Sequence, residues 1–335
     1  MKRSSKFVTG TIIILLVICS SWGFLVHRTV NQLAVYQLPQ KMQPFYYKHL
    51  DYIVKNSIRP DERRNSDPTE APKHFIDLEP FGDSAAWKMP LTWSEAVKKY
   101  SRDTLVKYGY VPYWVIEIKN RLTNAFRQRN VDSILFYSAD LGHYIADANV
   151  PLHTSVNYDG QLTGQRGMHA LWESVVPELS MERWNLAGKK SAKYLKHPEQ
   201  AIWEAVRYAH SLLPEVFVAE KEVSRLFTQV TKYRIEKRNN REVKYYSNEF
   251  IKDYGQRLQQ SINDQLLRSA NLIADFWYTA WVDGGKPDLK KLLLQFSDND
   301  NKALKKEVKA YRQSFLLRYN FLISKREAVG DPANH

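Results

Sequence analysis

The chain has 335 residues, 44% hydrophobic and 25% charged, a balance that rules out wholesale disorder and leaves ample length for a core. Glycine is sparse, 13 residues or about 4% against a usual ~7%; with few Asn-Gly or Asp-Gly signals, this argues against a many-stranded β fold. The single cysteine, Cys19, excludes a disulfide framework and a cysteine-based zinc site, and the net charge of +13 asks for an anionic partner such as nucleic acid, phospholipid headgroups or phosphate esters.

Lys2, Arg3 and Lys6 precede the apolar stretch from Phe7 to Cys19, and small residues continue up to Ser21. This pattern predicts a signal peptide over residues 1–21, because the apolar run is too short for a comfortable membrane span. Cleavage after Ser21 gives a cysteine-free chain beginning Trp22-Gly23, secreted or periplasmic; retention of the segment would make it a membrane anchor.

Helical periodicity dominates the chain beyond residue 22. Trp114, Ile118, Leu122 and Phe126 fall on one face, and Val131, Ile134, Leu135, Leu141, Tyr144, Ile145 and Ala148 repeat the pattern until Pro151 stops it. Residues 157–167 carry three glycines and read as a loop, with helix resuming near Met168. Further helices are expected over about 199–213, 214–230, 247–281 and 301–323. The basic run 232–244 reads first as a solvated loop, and second as a grip for nucleic acid or anionic lipid. Trp277 and Trp281 fall on an apolar helix face, which favours core packing over membrane contact. With no repeat and no linker, the expectation is an all-α, single mainly helical domain over residues 22–325, ending in a flexible tail at 326–335.

Three of the nine histidines sit in a dense pattern with carboxylates. His143 and Asp147 are four apart on one helical face, His169 and Glu173 form a second such pair, and His153 follows Pro151 between them. Taken singly, each histidine reads as a satisfied or surface residue. Taken together, imidazole and carboxylate donors at two per helix suit Zn²⁺ or a similar borderline metal at more than one site.

The stretch LGHYIADANVPLH (141–153), followed by GMHALWES (167–174), resembles the core motif of the zinc-dependent phospholipase C and single-strand nuclease superfamily, the nuclease branch being the P-one/S-one type. Trp22-Gly23-x3-His27 is similar to the mature N-terminus of these enzymes, and Lys73-His74-Phe75-Ile76-Asp77 to their second histidine motif. The resemblance covers residues 22–174. It implies three zinc ions in a cleft between helices. Asp61, His74, His143 and Asp147 would hold the first; the amine and carbonyl of Trp22, His27 and a bridging Asp147 the second; His153, His169 and Glu173 the third. Asp51 and Asp67 lie close to Asp61 in sequence and compete for its role. An amine ligand exists only once the signal segment is removed, which gives the predicted cleavage a chemical purpose.

The resemblance further implies a metal-dependent phosphodiesterase in which paired zinc ions acidify an attacking water, Asp61 and Asp147 serve the reaction and Arg64 reaches the phosphate. Phe75 would stack on a base and Asp77 hydrogen-bond its edge. The Trp22-to-His27 spacing, the Phe75/Asp77 pair and the basic balance favour single-stranded DNA or RNA as substrate. Glu173 is the phospholipase-like choice, so a phospholipase C acting on lipid headgroups is the alternative. Ala146, Val150 and the absence of cysteines after Cys19 depart from the known patterns. A catalytically inactive, zinc-stabilised binding protein is the third reading. A monomer without an obligate protein partner is expected.

Overall fold

The computed structural model describes residues 23–188, 190–238, 241–293 and 295–328. The predicted signal segment and Trp22 lie outside these residues, as do 329–335 of the expected tail.

Helix α1 (Phe24–Gln37) is followed by three short helices, α2 (Gln43–Lys48), α3 (Leu50–Asn56) and α4 (Arg59–Arg63). The extended stretch after His74 leads to α5 (Ala85–Lys88), α6 (Trp93–Tyr100) and α7 (Arg102–Tyr108). Helices α8 (Val111–Gln128) and α9 (Val131–Asp147) form an antiparallel pair. Pro112 in the first turn of α8 suits a position whose N–H has no helical acceptor, and Asn130 caps α9 by accepting the Ser133 N–H at 2.9 Å.

After the 157–167 loop comes α10 (Met168–Ala170), then one π-helical turn over Leu171–Val175, then α11 (Val176–Ser180). Beyond lie α12 (Pro198–Ser211), α13 (Leu213–Ser224), α14 (Gln229–Lys232), the strands β1 (Tyr233–Arg238) and β2 (Arg241–Tyr246), and α15 (Asn248–Asp283). Helices α16 (Asp298–Arg312) and α17 (Ile323–Ala328) close the chain.

The architecture is all-helical apart from one antiparallel hairpin, β1–β2, among the described residues. Helix α15, 36 residues long, is the central post and packs against α1, α8, α9, α11 and α13. Trp277 is fully buried on it, stacked on Tyr46 at 4.9 Å and donating its indole N–H to Ser138 O at 3.0 Å; Trp281 is 5% exposed. Both indoles are therefore core residues. A single apolar cluster runs from Leu25 to Ile323.

Some expected elements are redrawn. The basic run 232–244 is a hairpin rather than a loop, pairing Tyr233 with Tyr246 and Ile235 with Lys244. Charged residues stand on both faces of this ribbon, with Lys237, Glu242 and Lys244 on one and Arg234 and Glu236 on the other, and they masked its period-2 alternation. The Lys232 ammonium is buried against Glu220 Oε1 at 2.7 Å. The expected helix over 214–230 ends at Ser224, because Thr228 caps a new turn reciprocally with Thr231. The expected helix over 301–323 starts earlier, at a Ser297–Asp300 capping box, and stops at Arg312; Ser314 and Asn320 adopt left-handed backbone before α17 begins.

The crossing of α1 over α9 decides where the functional residues meet. A Cβ on Gly142 would lie 1.9 Å from Asn31 Oδ1, so glycine here lets the two helices approach. One residue on, His143 stacks its ring on His27 of α1, with centroids 4.0 Å apart and planes 17° apart. Gly142→Ala is therefore expected to destabilise the fold by about 1–3 kcal/mol despite alanine's better helix propensity, because the buried Asn31 side chain cannot leave. Thermal unfolding should show a Tm lowered by several degrees; an unchanged or raised Tm would refute the crossing geometry.

Candidate metal centre

Six separate segments supply the clustered side chains. His27 comes from the first turn of α1, Asp61 from α4, His74 from the turn before the extended stretch, and His143 and Asp147 from the last turns of α9. His153 sits in the 3₁₀ turn Pro151–Thr154, His169 on α10 and Glu173 on the π turn. π turns are rare, and single ones concentrate at functional sites. The Asp159 carboxylate accepts the Gly167 and His169 N–H groups, at 3.1 and 3.4 Å, and so ties the loop to the start of α10.

Four donor atoms converge around Asp147, which is 1% exposed. His74 Nδ1 lies 2.9 Å and His143 Nε2 3.2 Å from Asp147 Oδ2, and the two ring nitrogens are 3.1 Å apart. Asp61 Oδ1 is 3.6 Å from His74 Nδ1 and 3.8 Å from His143 Nε2. Zinc ligands at about 2.0–2.1 Å in a tetrahedron stand roughly 3.3–3.4 Å from one another. The His74, His143 and Asp147 separations lie close to that value, so these three residues fit one metal, and Asp61 stands slightly wider, within reach of both histidines. His143 donates its Nδ1–H to Ser57 O at 2.8 Å, which leaves Nε2 free as a donor toward the metal.

A second group lies beside the first. His153 Nε2, His169 Nε2 and Glu173 Oε2 are separated by 2.9, 3.2 and 2.8 Å, a three-donor set in which the His169 side chain is 32% exposed. The other oxygens of the two acids face His27, whose Nε2 is 3.5 Å from Asp147 Oδ1 and 3.8 Å from Glu173 Oε1. Asp147 therefore presents one oxygen to each of two donor groups. Trp22 is not among the described residues, but a Cβ on its neighbour Gly23 would lie 3.1 Å from Glu173 Oε1, so the start of α1 reaches this group.

The electrostatics favour a cation. Burial disfavours the charged His74 ring, yet Asp147, Glu70 and Asp61 outweigh it and lift the ring to about 9. Against the same burial, Glu173 and Asp147 raise His27, and Glu173 raises His169. Asp147 and Glu173, despite burial, are held well below the usual carboxylate range by their histidines. His27 Nδ1, His74 Nε2 and His153 Nδ1 are buried without a hydrogen-bond partner among the described residues.

Arg64 is 43% exposed at the rim, its Nη1 3.7 Å from Asp61 Oδ1, free to swing toward an anion. Phe75 and Asp77 alternate with the buried Ile76 and Leu78 on the extended stretch, whose N–H groups at 76 and 78 donate to His153 O and Thr154 O. Burial and the nearby Glu79 push the Asp77 carboxyl up to about 7.

Sequence reasoning missed the support behind the donors. Glu70, 2% exposed at the side chain, accepts from Lys73 Nζ at 2.7 Å, Arg63 Nη2 at 3.3 Å and the Tyr144 hydroxyl, and its Oε1 lies 3.6 Å behind His74 Nε2. Asp140 then holds Arg63 at 2.8 Å and Arg59 at 2.5 Å. The signal was present as Glu70-x2-Lys73-His74 and Asp140-x2-His143, acids one helical turn before a histidine.

The fold and site together define a mainly helical protein with a buried carboxylate–histidine cluster suited to divalent metal. No family model matches the chain, and no curated protein matches it. Among solved structures it is similar to alpha toxin from Clostridium absonum, at 12% identity and a TM-score of 0.48 over 80% of this chain. The match spans 65% of the toxin's own length.

Two carboxyls should show opposite pH signatures. Glu70 is depressed far below the ordinary glutamate range: burial opposes this, but His74, Lys73, Tyr144 and Arg63 prevail. Its stabilising contribution is present above about pH 4.5 and fades as pH falls below that. Glu70→Gln should therefore lower Tm by several degrees at pH 7, and the gap to wild type should narrow steadily below about pH 4.5; parallel curves would exclude the role. Asp77 has the reverse sign: folding favours its protonated form, so its contribution is present below about pH 4 and lost as pH rises through about 7. Asp77→Asn should raise Tm at about pH 8 and leave it nearly unchanged at about pH 4.

Proposed function

We propose that the protein is a zinc-dependent phosphodiesterase that hydrolyses single-stranded DNA or RNA. The observation that carries this reading is the Asp147 carboxylate, shared between two donor groups, with a third group a single carboxylate away at Glu173. Bound zinc would supply an acidified water as nucleophile and charge stabilisation for the phosphate and the departing oxygen. The chain's own residues do the rest. Asp61, 22% exposed at the side chain, is the most open acid of the first group and can orient a water toward substrate. Arg64 stands beside it to receive a non-bridging phosphate oxygen. Phe75 and Asp77 share one face of the stretch leading from His74 and offer a ring and a carboxyl to a base.

Export after removal of residues 1–21, with the Trp22 amine completing the His27 group, belongs to the same proposal. Monomeric action on a polyanion fits the basic balance. Among the described residues no helix is long and apolar enough to cross a membrane. The Glu173 side chain keeps lipid headgroup esters as the competing substrate, since the reacting bond is the same.

Zinc-loaded protein should cleave single-stranded oligonucleotides, lose the activity with a chelator and regain it with zinc. His143→Ala should lower turnover by more than ~10²-fold and bind less zinc, with a lower Tm. Phosphocholine release from lecithin without oligonucleotide cleavage would move the assignment to phospholipase C. Zinc binding without hydrolysis of either substrate would leave a metal-stabilised binding protein.

A further inference from the structure

A groove of about 720 Å³ opens at the far end of α1 from the donor cluster, beside Gln37. Ten residues separate Gln37 from His27, about 15 Å along the helix. Lys190, Lys290, Lys305, Lys309 and Arg312 line it, and no carboxylate does. None of the five forms an ion pair with a described residue. Glu307 of α16 is not in the lining; it accepts from the hydroxyls of Tyr36, which does line the groove, and of Tyr47, at 2.7 and 2.8 Å.

Asn301, Lys305, Lys309 and Arg312 recur every three or four residues, so α16 turns one polar, cationic stripe into the groove. Like charges gathered in a concavity repel one another at a cost to the fold, and their field is focused by the walls. That arrangement is costly alone and favourable with an anion of several charges.

The groove continues past Lys190 and Ser191 into a second concavity of about 530 Å³, lined by Lys193 and by Arg268, whose guanidinium lies 3.9 Å from the Tyr208 ring centroid. Two acids, Glu204 and Asp275, also line this part, and the Asp275 carboxylate is taken by the Lys193 N–H at 2.7 Å. The whole is long and concave. Leu38 and Leu304 in its lining are buried, and none of the large exposed apolar side chains belongs to it. A bilayer would need such side chains at a convex face. A flexible chain of phosphates needs spaced cations along a trough.

We propose that this groove is a second binding site for the phosphate backbone of single-stranded nucleic acid, holding a strand remote from the cluster. The polymer's identity rests on the nuclease reading; the polyanion chemistry does not. Binding of a fluorescent, phosphorothioate-linked oligothymidylate of about 15 nucleotides to the zinc-loaded full chain tests it by anisotropy at several salt concentrations.

Five phosphate contacts, one for each cation of the first concavity, predict a log–log salt slope of about −3.5, since each contact on a single strand contributes about −0.7. The triple variant Lys305→Gln/Lys309→Gln/Arg312→Gln, changed only at exposed positions, should keep its Tm, bind at least ~10-fold more weakly at low salt and show a slope of about −1.4. The proposal is overturned if the folded triple variant binds like wild type, if wild type fails to bind, or if anionic phosphatidylserine vesicles are retained through these residues and oligonucleotide is not. Cleavage is read separately on unmodified strands. Salt-sensitive binding through the groove without cleavage keeps the groove and removes the nuclease function; cleavage without groove-dependent binding does the reverse.

Discussion

The buried charge of Asp147 is the constraint around which the molecule is organised. A carboxylate 1% exposed costs several kcal/mol unless charge or hydrogen bonds surround it. Here four histidines approach it: His74 and His143 on one oxygen, His27 and His153 on the other. His27 and His74 are remote in sequence from the adjoining pair His143 and His153, so compensating the one charge brings α1 and the turn before residue 74 into register with the end of α9 and the 3₁₀ turn. The Gly142–Asn31 contact and the long α15 behind it are the packing side of the same requirement.

The support extends outward by alternating signs. Lys73, Glu70, Arg63, Asp140 and Arg59 form a chain of partners from behind His74 to the surface. Each acid is nearly inaccessible and each arginine partly exposed, so the network carries charge from the interior to solvent in steps. Breaking one link leaves a buried charge unpaired, which costs far more than a surface pair is worth. The His143 ring is fixed from behind by Ser57 O, while Glu70 backs His74 electrostatically at 3.6 Å, and a donor held in place loses less freedom when it takes a ligand.

Much of this was legible in the sequence, where the physics is local. The α8 and α9 periodicity, the stop at Pro151, the 157–167 loop and the buried Trp277 follow from spacing alone, and His143/Asp147 and His169/Glu173 announce themselves by their four-residue separation. The hairpin at 233–246 was obscured because its cross-strand pairs, such as Ile235 with Lys244, are set by pairing and not by composition. The break at Ser224 hinged on a Thr–Thr cap that also occurs in helices that continue. Glu70 and Asp140 were missed because their importance lies in the groups opposite them, Arg63 above all, and no spacing encodes that meeting. The convergence of His27 and His74 on one carboxylate was available only through resemblance.

The charge distribution joins these points. The chain carries +13, yet its donor cluster gathers Asp61, Asp147 and Glu173 with Glu70 behind them. Without a cation, that concentration of carboxylates can be met only by protons on the histidines, as the raised rings of His27, His74 and His169 express. A divalent ion does the same work with two charges and directed bonds, and displaces those protons on entering. The interior is thus built to attract cations and the exterior to attract anions. Under the proposed function, a phosphodiester drawn by the outer lysines and arginines would reach the acidic centre only if metal first reversed its sign, so metal would govern entry of an anion as well as any chemistry on it.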